Sequence, residues 1–351
     1  MEEIFQSIFP IIISKKGIPE QIASGVLLKI QEELFILTSA HVYDGINGNG
    51  LLVPTKTGLI EIEYFASHIP DAKNDRKNDK IDIAYLRFKA GSPIEFVDGL
   101  APLSLNQIDI SDSREGEDIY TFTGFPYRKS KFYDNKLSSE LYSFTGGASN
   151  EEIFVEQNYD KNINIIIDFN RKKTIGEVGS ISAAPLPNGI SGGGIFSYSK
   201  DKRKLFSDEK VIRLVGIAHT FLEKEKLLVG TSIKLYLNLI FSNNPHLITD
   251  LDKEAGPAIM LFPIPYYKRE QWTLIKDKME DKDVLHPTWD EWRIDAENYL
   301  DTLASENKLY LRIEFDVNQF IDYCKDKNLP LVGRSRIQFI SAKLANIIFE
   351  K

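Results

Sequence analysis

The run Pro187-Asn188-Gly189-Ile190-Ser191-Gly192-Gly193-Gly194-Ile195-Phe196 constrains this chain more than any other stretch. Glycine takes backbone conformations that a Cβ forbids, so the run predicts a sharp turn leading into the apolar pair Ile195-Phe196. With no bulk in front of it, the Ser191 hydroxyl is open to an approaching backbone. The N–H groups of Gly189 and Ser191 can point into one small volume, as an oxyanion hole requires. By itself the run also fits an ordinary glycine-rich turn.

Two upstream pieces change its meaning. Leu37-Thr38-Ser39-Ala40-His41-Val42 is an apolar strand ending in a histidine, and Ile81-Asp82-Ile83-Ala84-Tyr85-Leu86 sets an aspartate into an apolar strand. A capping or core histidine would account for His41 alone. A strand-start carboxylate bonding nearby N–H groups would account for Asp82 alone. A buried carboxylate is costly unless hydrogen-bonded or paired, so Asp82 should have a partner. Asp71, Asp75 and Asp79 fall in a polar loop and read as solvated. In the order His, Asp, Ser, the three pieces resemble the trypsin-like (chymotrypsin-fold) serine peptidases. The resemblance covers roughly residues 8–245 and lies closer to bacterial members without disulfides than to digestive trypsins. It implies a mainly β fold of two six-stranded barrels. It also implies catalytic roles: His41 as general base, Asp82 as the group that orients it, Ser191 as nucleophile, and the Gly189 and Ser191 N–H groups as oxyanion hole.

Composition limits the alternatives. The chain has 351 residues, enough for one large or two ordinary domains, and 42% of them are hydrophobic against 27% charged, as in globular proteins. A formal charge of −8 argues against general nucleic-acid binding, which needs Lys and Arg to neutralise phosphates. Cys324 is the one cysteine, so no intrachain disulfide can form, which suits a reducing compartment. Acids at Glu2 and Glu3 stand where a signal peptide needs positive charge, and the apolar stretch 8–13 is too short to span a membrane. A cytoplasmic protein that touches no membrane is the expectation. His68, His246 and His286 are scattered without ligand spacing, and Asn47-Gly48-Asn49-Gly50 lacks the lysine and helix of a phosphate loop. No metal and no cofactor are expected.

Along the chain, strands are predicted at 9–14, 23–30, 34–39, 50–53, 59–65 and 81–88, and again at 118–122, 153–155, 163–169, 180–184, 213–219 and 227–232. Residues 101–110 connect the two halves. Gly124-Phe125-Pro126 forms a turn that this peptidase class often carries, and apolar spacing at Ile233, Leu237 and Ile240 predicts a closing helix. The peptidase domain is placed at 1–247, a Gly- and Pro-marked linker at 248–265, and a small α+β accessory domain at 266–351. In that last domain Thr288-Trp289-Asp290-Glu291 matches a capping box, residues 309–315 alternate as one strand, and Asp316 can cap a helix through Cys324. Ile337, Ile340, Leu344 and Ile347 mark one face of a final helix. Cys324 reads as core rather than nucleophile, because no environment that would lower its pKa is evident.

Where digestive members carry an activating aspartate just before the serine, this chain has Ile190. Activation by N-terminal clipping is therefore not expected; the site is either preformed or controlled by the C-terminal domain or a partner. The resemblance implies that Pro185, six residues before the serine, stands at the base of the primary pocket, where it would remove the charge partner for a Lys or Arg substrate. Ala218-His219-Thr220-Phe221 resembles the pocket-wall strand. His219, with Thr220 and Phe221 beside it, can supply a polar donor favouring an acidic or polar side chain, or can pack behind the triad. The resulting expectation is a serine endopeptidase making limited, regulated cuts in a protein partner, bound to a protein or peptide substrate and open to a regulatory partner through its C-terminal domain. Ile190 and Gly194 (where the family commonly has proline) also fit a catalytically silent peptidase-fold module that only binds peptides. A weaker alternative makes the C-terminal domain the functional unit.

Overall fold

The structure is a computed structural model that describes residues 3–46, 48–68, 76, 79–89, 94–110, 119–127, 130–133, 136–161, 163–170, 174–175, 181–182, 184–200, 210–244, 246–247, 261–305 and 309–349. Two compact units divide the chain, Met1–Tyr236 and Leu237–Lys351. The first strands are β1 (Ile8–Lys15), β2 (Ile18–Ile30), β3 (Glu33–Ser39), β4 (Gly50–Thr55), β5 (Gly58–Ile62), β6 (Tyr64–His68) and β7 (Ile83–Phe88). They form one antiparallel sheet in the order β5-β4-β1-β2-β3-β7-β6. The isoleucine-rich β1 is buried on both faces at Ile11, Ile12 and Ile13, which is why it reads as an unbroken apolar run. Phe9, Leu27, Ile36 and Leu86 pack beneath α1 (Ala40–Ile46) through Val42 and Ile46. Each fully buried aliphatic or aromatic side chain of this kind contributes about 1.5–3 kcal/mol.

The second half begins with β8 (Ile119–Gly124), a short hairpin β9 (Ser130–Tyr133) and β10 (Lys136–Ser139), then β11 (Tyr142–Gly147), α2 (Glu151–Glu156) and β12 (Asn164–Asp168). After the small pair β13 (Thr174–Ile175) and β14 (Ile181–Ser182) come β15 (Gly194–Lys200), β16 (Lys210–Leu222), β17 (Leu227–Ser232) and α3 (Ile233–Asn243). Six of these strands form an antiparallel sheet in the order β11-β8-β15-β16-β17-β12, so the strand that follows the serine run sits between β8 and β16. Phe122, Phe144, Ile165, Ile167 and Ile195 pack together as its apolar core. The result is a mainly β architecture of two curled half-barrel sheets, in line with the fold that the resemblance implies.

Three local expectations are corrected. The first sheet has seven strands rather than six, because the stretch 59–65 breaks at Glu63, β5 pairing with β4 and β6 with β7. Residues 153–155 are helical: Asn150 caps α2 by accepting from Ile153 N, and Glu151 and Glu152 suit the first turn, which outweighs the β propensity of Ile-Phe-Val. His41 lies in the first turn of α1, after Ala40, instead of ending a strand. The strand expected at 180–184 lies partly outside the described residues.

In the second unit β18 (Leu261–Tyr267) and β19 (Leu309–Phe315) pair in parallel, which requires a crossover. The crossover is made by α4 (Trp272–Lys278) and α5 (Trp289–Ser305), and α6 (Val317–Lys327) and α7 (Gly333–Phe349) follow. Thus 261–265, the end of the stretch read as a linker, is strand. Pro263 and Pro265 stand two apart, so both missing N–H groups fall on one edge and leave the other to β19. Glu291 N donates to Thr288 Oγ1, the threonine half of the expected capping box, and Gln319 N donates to Asp316 Oδ1, the expected cap of α6. Tyr267, Trp272, Ile313, Phe315, Phe320 and Phe339 make the core, and the Arg336 guanidinium pairs with both oxygens of Asp281. Cys324 is buried, and burial pushes its thiol pKa up. On α7 Ile340 is buried but Ile337 is 64% exposed; the side chains of Leu344 and Ile347 lie outside the described residues. Among the described residues no helix is long and apolar enough to cross a membrane.

Candidate active site

His41 is brought to Asp82 by the pairing of β3 with β7, whose register sets Ser39 opposite Ile83. Ala40 N donates to Asp82 O at 3.1 Å. The Asp82 carboxylate then accepts twice from His41: Oδ1 from the backbone N–H at 2.9 Å and Oδ2 at the ring Nδ1 at 2.5 Å. A carboxylate at Nδ1 fixes the tautomer with its proton there, leaving Nε2 as the basic nitrogen. The His41 side chain is 40% exposed and that of Asp82 only 4%. Burial pushes the Asp82 carboxyl pKa up, but the hydrogen bond and charge of His41, with a smaller contribution from His219, outweigh it and hold the group below its ordinary value.

Asp82 has φ of +48°, in the left-handed region. That conformation costs a non-glycine residue about 1–2 kcal/mol and persists only where the surroundings over-determine it. They do so here. Lys80 O accepts from Asn164 Nδ2 at 2.7 Å and Ile81 O from Thr231 Oγ1 at 2.8 Å, both from the second sheet. Asp79 Oδ1 accepts from Ile81 N and Asp82 N at 3.0 and 3.1 Å. Asp79, read from sequence as solvated, is therefore a structural member of the loop, its side chain 10% exposed.

The serine turn is fixed through its carbonyls. Pro187 O accepts from Ile190 N, Asn188 O from Tyr127 N, Ile190 O from Gly193 N, and Ser191 O from Ser24 N. Gly189 O accepts from Ser24 Oγ at 2.8 Å. A trans peptide points its N–H opposite its carbonyl, so tying Asn188 O and Ile190 O fixes where the N–H groups of Gly189 and Ser191 point. Among the described residues neither of those N–H groups has an acceptor. Glycine is required on steric grounds: Gly189 and Gly192 have φ of +101° and +82°, and a Cβ on Gly192 would lie 2.0 Å from Ser24 O. A Cβ on Gly194 would meet the Phe196 ring at 2.5 Å, the local reason for glycine at that point. Ile190 is buried in the apolar core of the second sheet, where it needs no ionic partner.

The Ser191 hydroxyl donates to the backbone carbonyl of His219 at 3.0 Å. Attack through His41 would require it to rotate off that carbonyl. A cleft of about 300 Å³ opens beside Ser191, bordered by Asn188, Gly189, Thr220, Phe221 and Glu223. His219 also borders it, but Nε2 is sealed from solvent and lacks a hydrogen-bond partner, while Nδ1 lies 2.7 Å from Thr220 Oγ1. Burial lowers the ring pKa to about 4, so His219 is neutral near pH 7. The ring therefore borders the cleft with its Nε2 withdrawn from solvent. Pro185 is half-buried and does not border the cleft. Among the described residues no group of three His, Cys, Asp or Glu side chains is placed to hold a metal ion.

Ser24 escaped the sequence reading. It is fully buried on β2, and its N–H, hydroxyl and carbonyl all serve the site: they hold Ser191 O, Gly189 O and Thr38 Oγ1 respectively, while Phe125 N donates to its hydroxyl. The one available signal was a polar residue set among Ile22, Ala23, Gly25 and Val26.

No protein-family model and no curated protein matches the chain. Among solved structures, the Drosophila Grass clip serine protease of the Toll pathway is similar with a TM-score of 0.44 and 13% identity, over 69% of this chain and 70% of that one.

Proposed function

We propose that the N-terminal unit is a serine endopeptidase that makes limited cuts in a protein partner. The observation that carries this reading is the doubly bonded His41–Asp82 pair, together with a serine turn whose Gly189 and Ser191 N–H groups are unclaimed among the described residues. Ser191 Oγ attacks a peptide carbonyl as His41 Nε2 takes its proton. The tetrahedral oxyanion is held by the two N–H groups, and His41 returns the proton to the departing amine. Water then hydrolyses the acyl-enzyme with His41 again as base. Asp82 keeps the imidazole in the productive tautomer and stabilises its charged form. No cofactor enters. One cysteine and no disulfide fit a reducing, cytoplasmic setting.

A second reading, a peptidase-fold module that binds peptide without turning it over, is favoured by the Ser191 hydroxyl resting on His219 O. Labelling with a fluorophosphonate probe separates the two. Covalent labelling lost in both Ser191→Ala and His41→Ala supports the peptidase. Folded wild-type protein that stays unlabelled favours the binding module.

A further inference from the structure

We propose that Arg76 and Asp79 form a bridge that keeps the acid and the base of the triad in register, making both of them positioning residues; this rests on the peptidase reading above. Arg76 Nη1 donates to Asp79 Oδ2 at 2.6 Å, and its Nε donates to Asp44 Oδ2 at 2.9 Å. Asp79 is the residue whose other oxygen accepts the N–H groups of Ile81 and Asp82. Asp44 stands on α1, three residues after His41. One guanidinium thus joins the loop that carries the acid to the helix that carries the base. The fork of an arginine suits this task, because it can address two carboxylates in fixed directions where a lysine is a single point charge.

The bridge acts where the chain needs it. Asp82 sits at positive φ, so its own backbone does not hold it in place. The second sheet ties the loop's acceptors, through Asn164 on Lys80 O and Thr231 on Ile81 O. Asp79 ties its donors. The Arg76 and Asp79 side chains are 21% and 10% exposed, so this half of the bridge is shielded, whereas Asp44 at 48% is open to solvent. A catalytic pair misplaced by about 1 Å loses on the order of a hundredfold in rate, and the bridge spans the two elements whose relative movement would cause that.

The test compares full-length wild type with Arg76→Gln, Arg76→Lys and Asp79→Asn. Two readouts are used: the downfield NMR resonance of the His41 Nδ1 proton, assigned by its loss in Asp82→Asn, and the rate of fluorophosphonate labelling. The expected result is a resonance broadened or lost in Arg76→Gln and Asp79→Asn, with labelling slowed roughly tenfold or more. Arg76→Lys should lie nearer to Arg76→Gln than to wild type, since charge alone does not bridge. Should Arg76→Gln not fold, Asp44→Asn, which opens only the exposed end, carries the same expectation in weaker form. Variants with a lower melting temperature but an unchanged resonance and labelling rate would overturn the proposal, as would a wild-type protein without the resonance. Failure of the peptidase reading looks different: wild type goes unlabelled while the resonance persists.

Discussion

Replacing Ser24 with alanine removes one hydroxyl that makes two hydrogen bonds of 2.8 Å, donating to Gly189 O and accepting from Phe125 N. The main-chain bonds of Ser24 to Ser191 O and Thr38 Oγ1 survive the change, so the sheet pairing and the path of β2 should persist. What is lost is the side-chain anchor between the first sheet and the serine turn. Gly189 O is buried, and leaving such a group unpaired costs about 1–3 kcal/mol, with about 1 kcal/mol more for the second bond. The expected loss is therefore about 2–4 kcal/mol of unfolding free energy. A turn freed at Gly189 no longer aims its N–H groups, so labelling should slow by roughly 10²-fold, the scale of losing one oxyanion donor. Urea unfolding and the pseudo-first-order labelling rate are the two assays. A Ser24→Ala protein within about 0.5 kcal/mol of wild type, the range of changes that disturb nothing, and labelled at the wild-type rate, would refute the view that this hydroxyl holds the turn.

Other outcomes follow from the same geometry. Asp82→Asn should keep the fold and lower the labelling rate by about 10⁴-fold through the wrong imidazole tautomer, measured beside wild type at one pH. Because the Asp82 pKa is depressed on folding, the stability it contributes is present above its unfolded value and lost as pH falls through its folded one; acid unfolding of wild type should show this and Asp82→Asn should not. His219 is also depressed, to about 4, so protonation favours the unfolded chain and roughly 3 kcal/mol should disappear as pH drops from about 6.5 to 4. A His219→Gln variant whose urea midpoint falls as steeply over that window would refute this. Gly192→Ala should abolish labelling, since its Cβ would lie 2.0 Å from Ser24 O at a φ of +82°; normal labelling would mean that the turn is not built as described.

The legible parts of the site were those set by local chemistry. The glycines around Ser191 announced a turn because backbone conformation and crowding leave no other residue room there. Asp82, a carboxylate in an apolar strand, announced a partner, and the partner is His41. Ser24, Asp79 and Arg76 gave no comparable sign, because their roles depend on which backbone groups arrive beside them. The C-terminal unit shows the same division. The caps at Thr288 and Asp316 lie within four residues of what they bond, and both were readable. The strand at 261–267 was hidden by Pro263 and Pro265, because its partner lies far along the chain.

By itself, then, the sequence determined the mainly β character, the turn at 187–194, and the need of Asp82 for a partner, while His41 as that partner was only what the family resemblance implied. The first three follow from apolar runs, missing Cβ atoms and the cost of an unpaired carboxylate, all of which act over a few residues. Only the tertiary structure decided that Ser191 rests on the His219 carbonyl, that the His219 ring is buried and neutral, and that Ser24 anchors the serine turn. Each of those depends on hydrogen-bond partners and burial supplied by segments distant in sequence, and no local pattern of residues encodes which of them will meet.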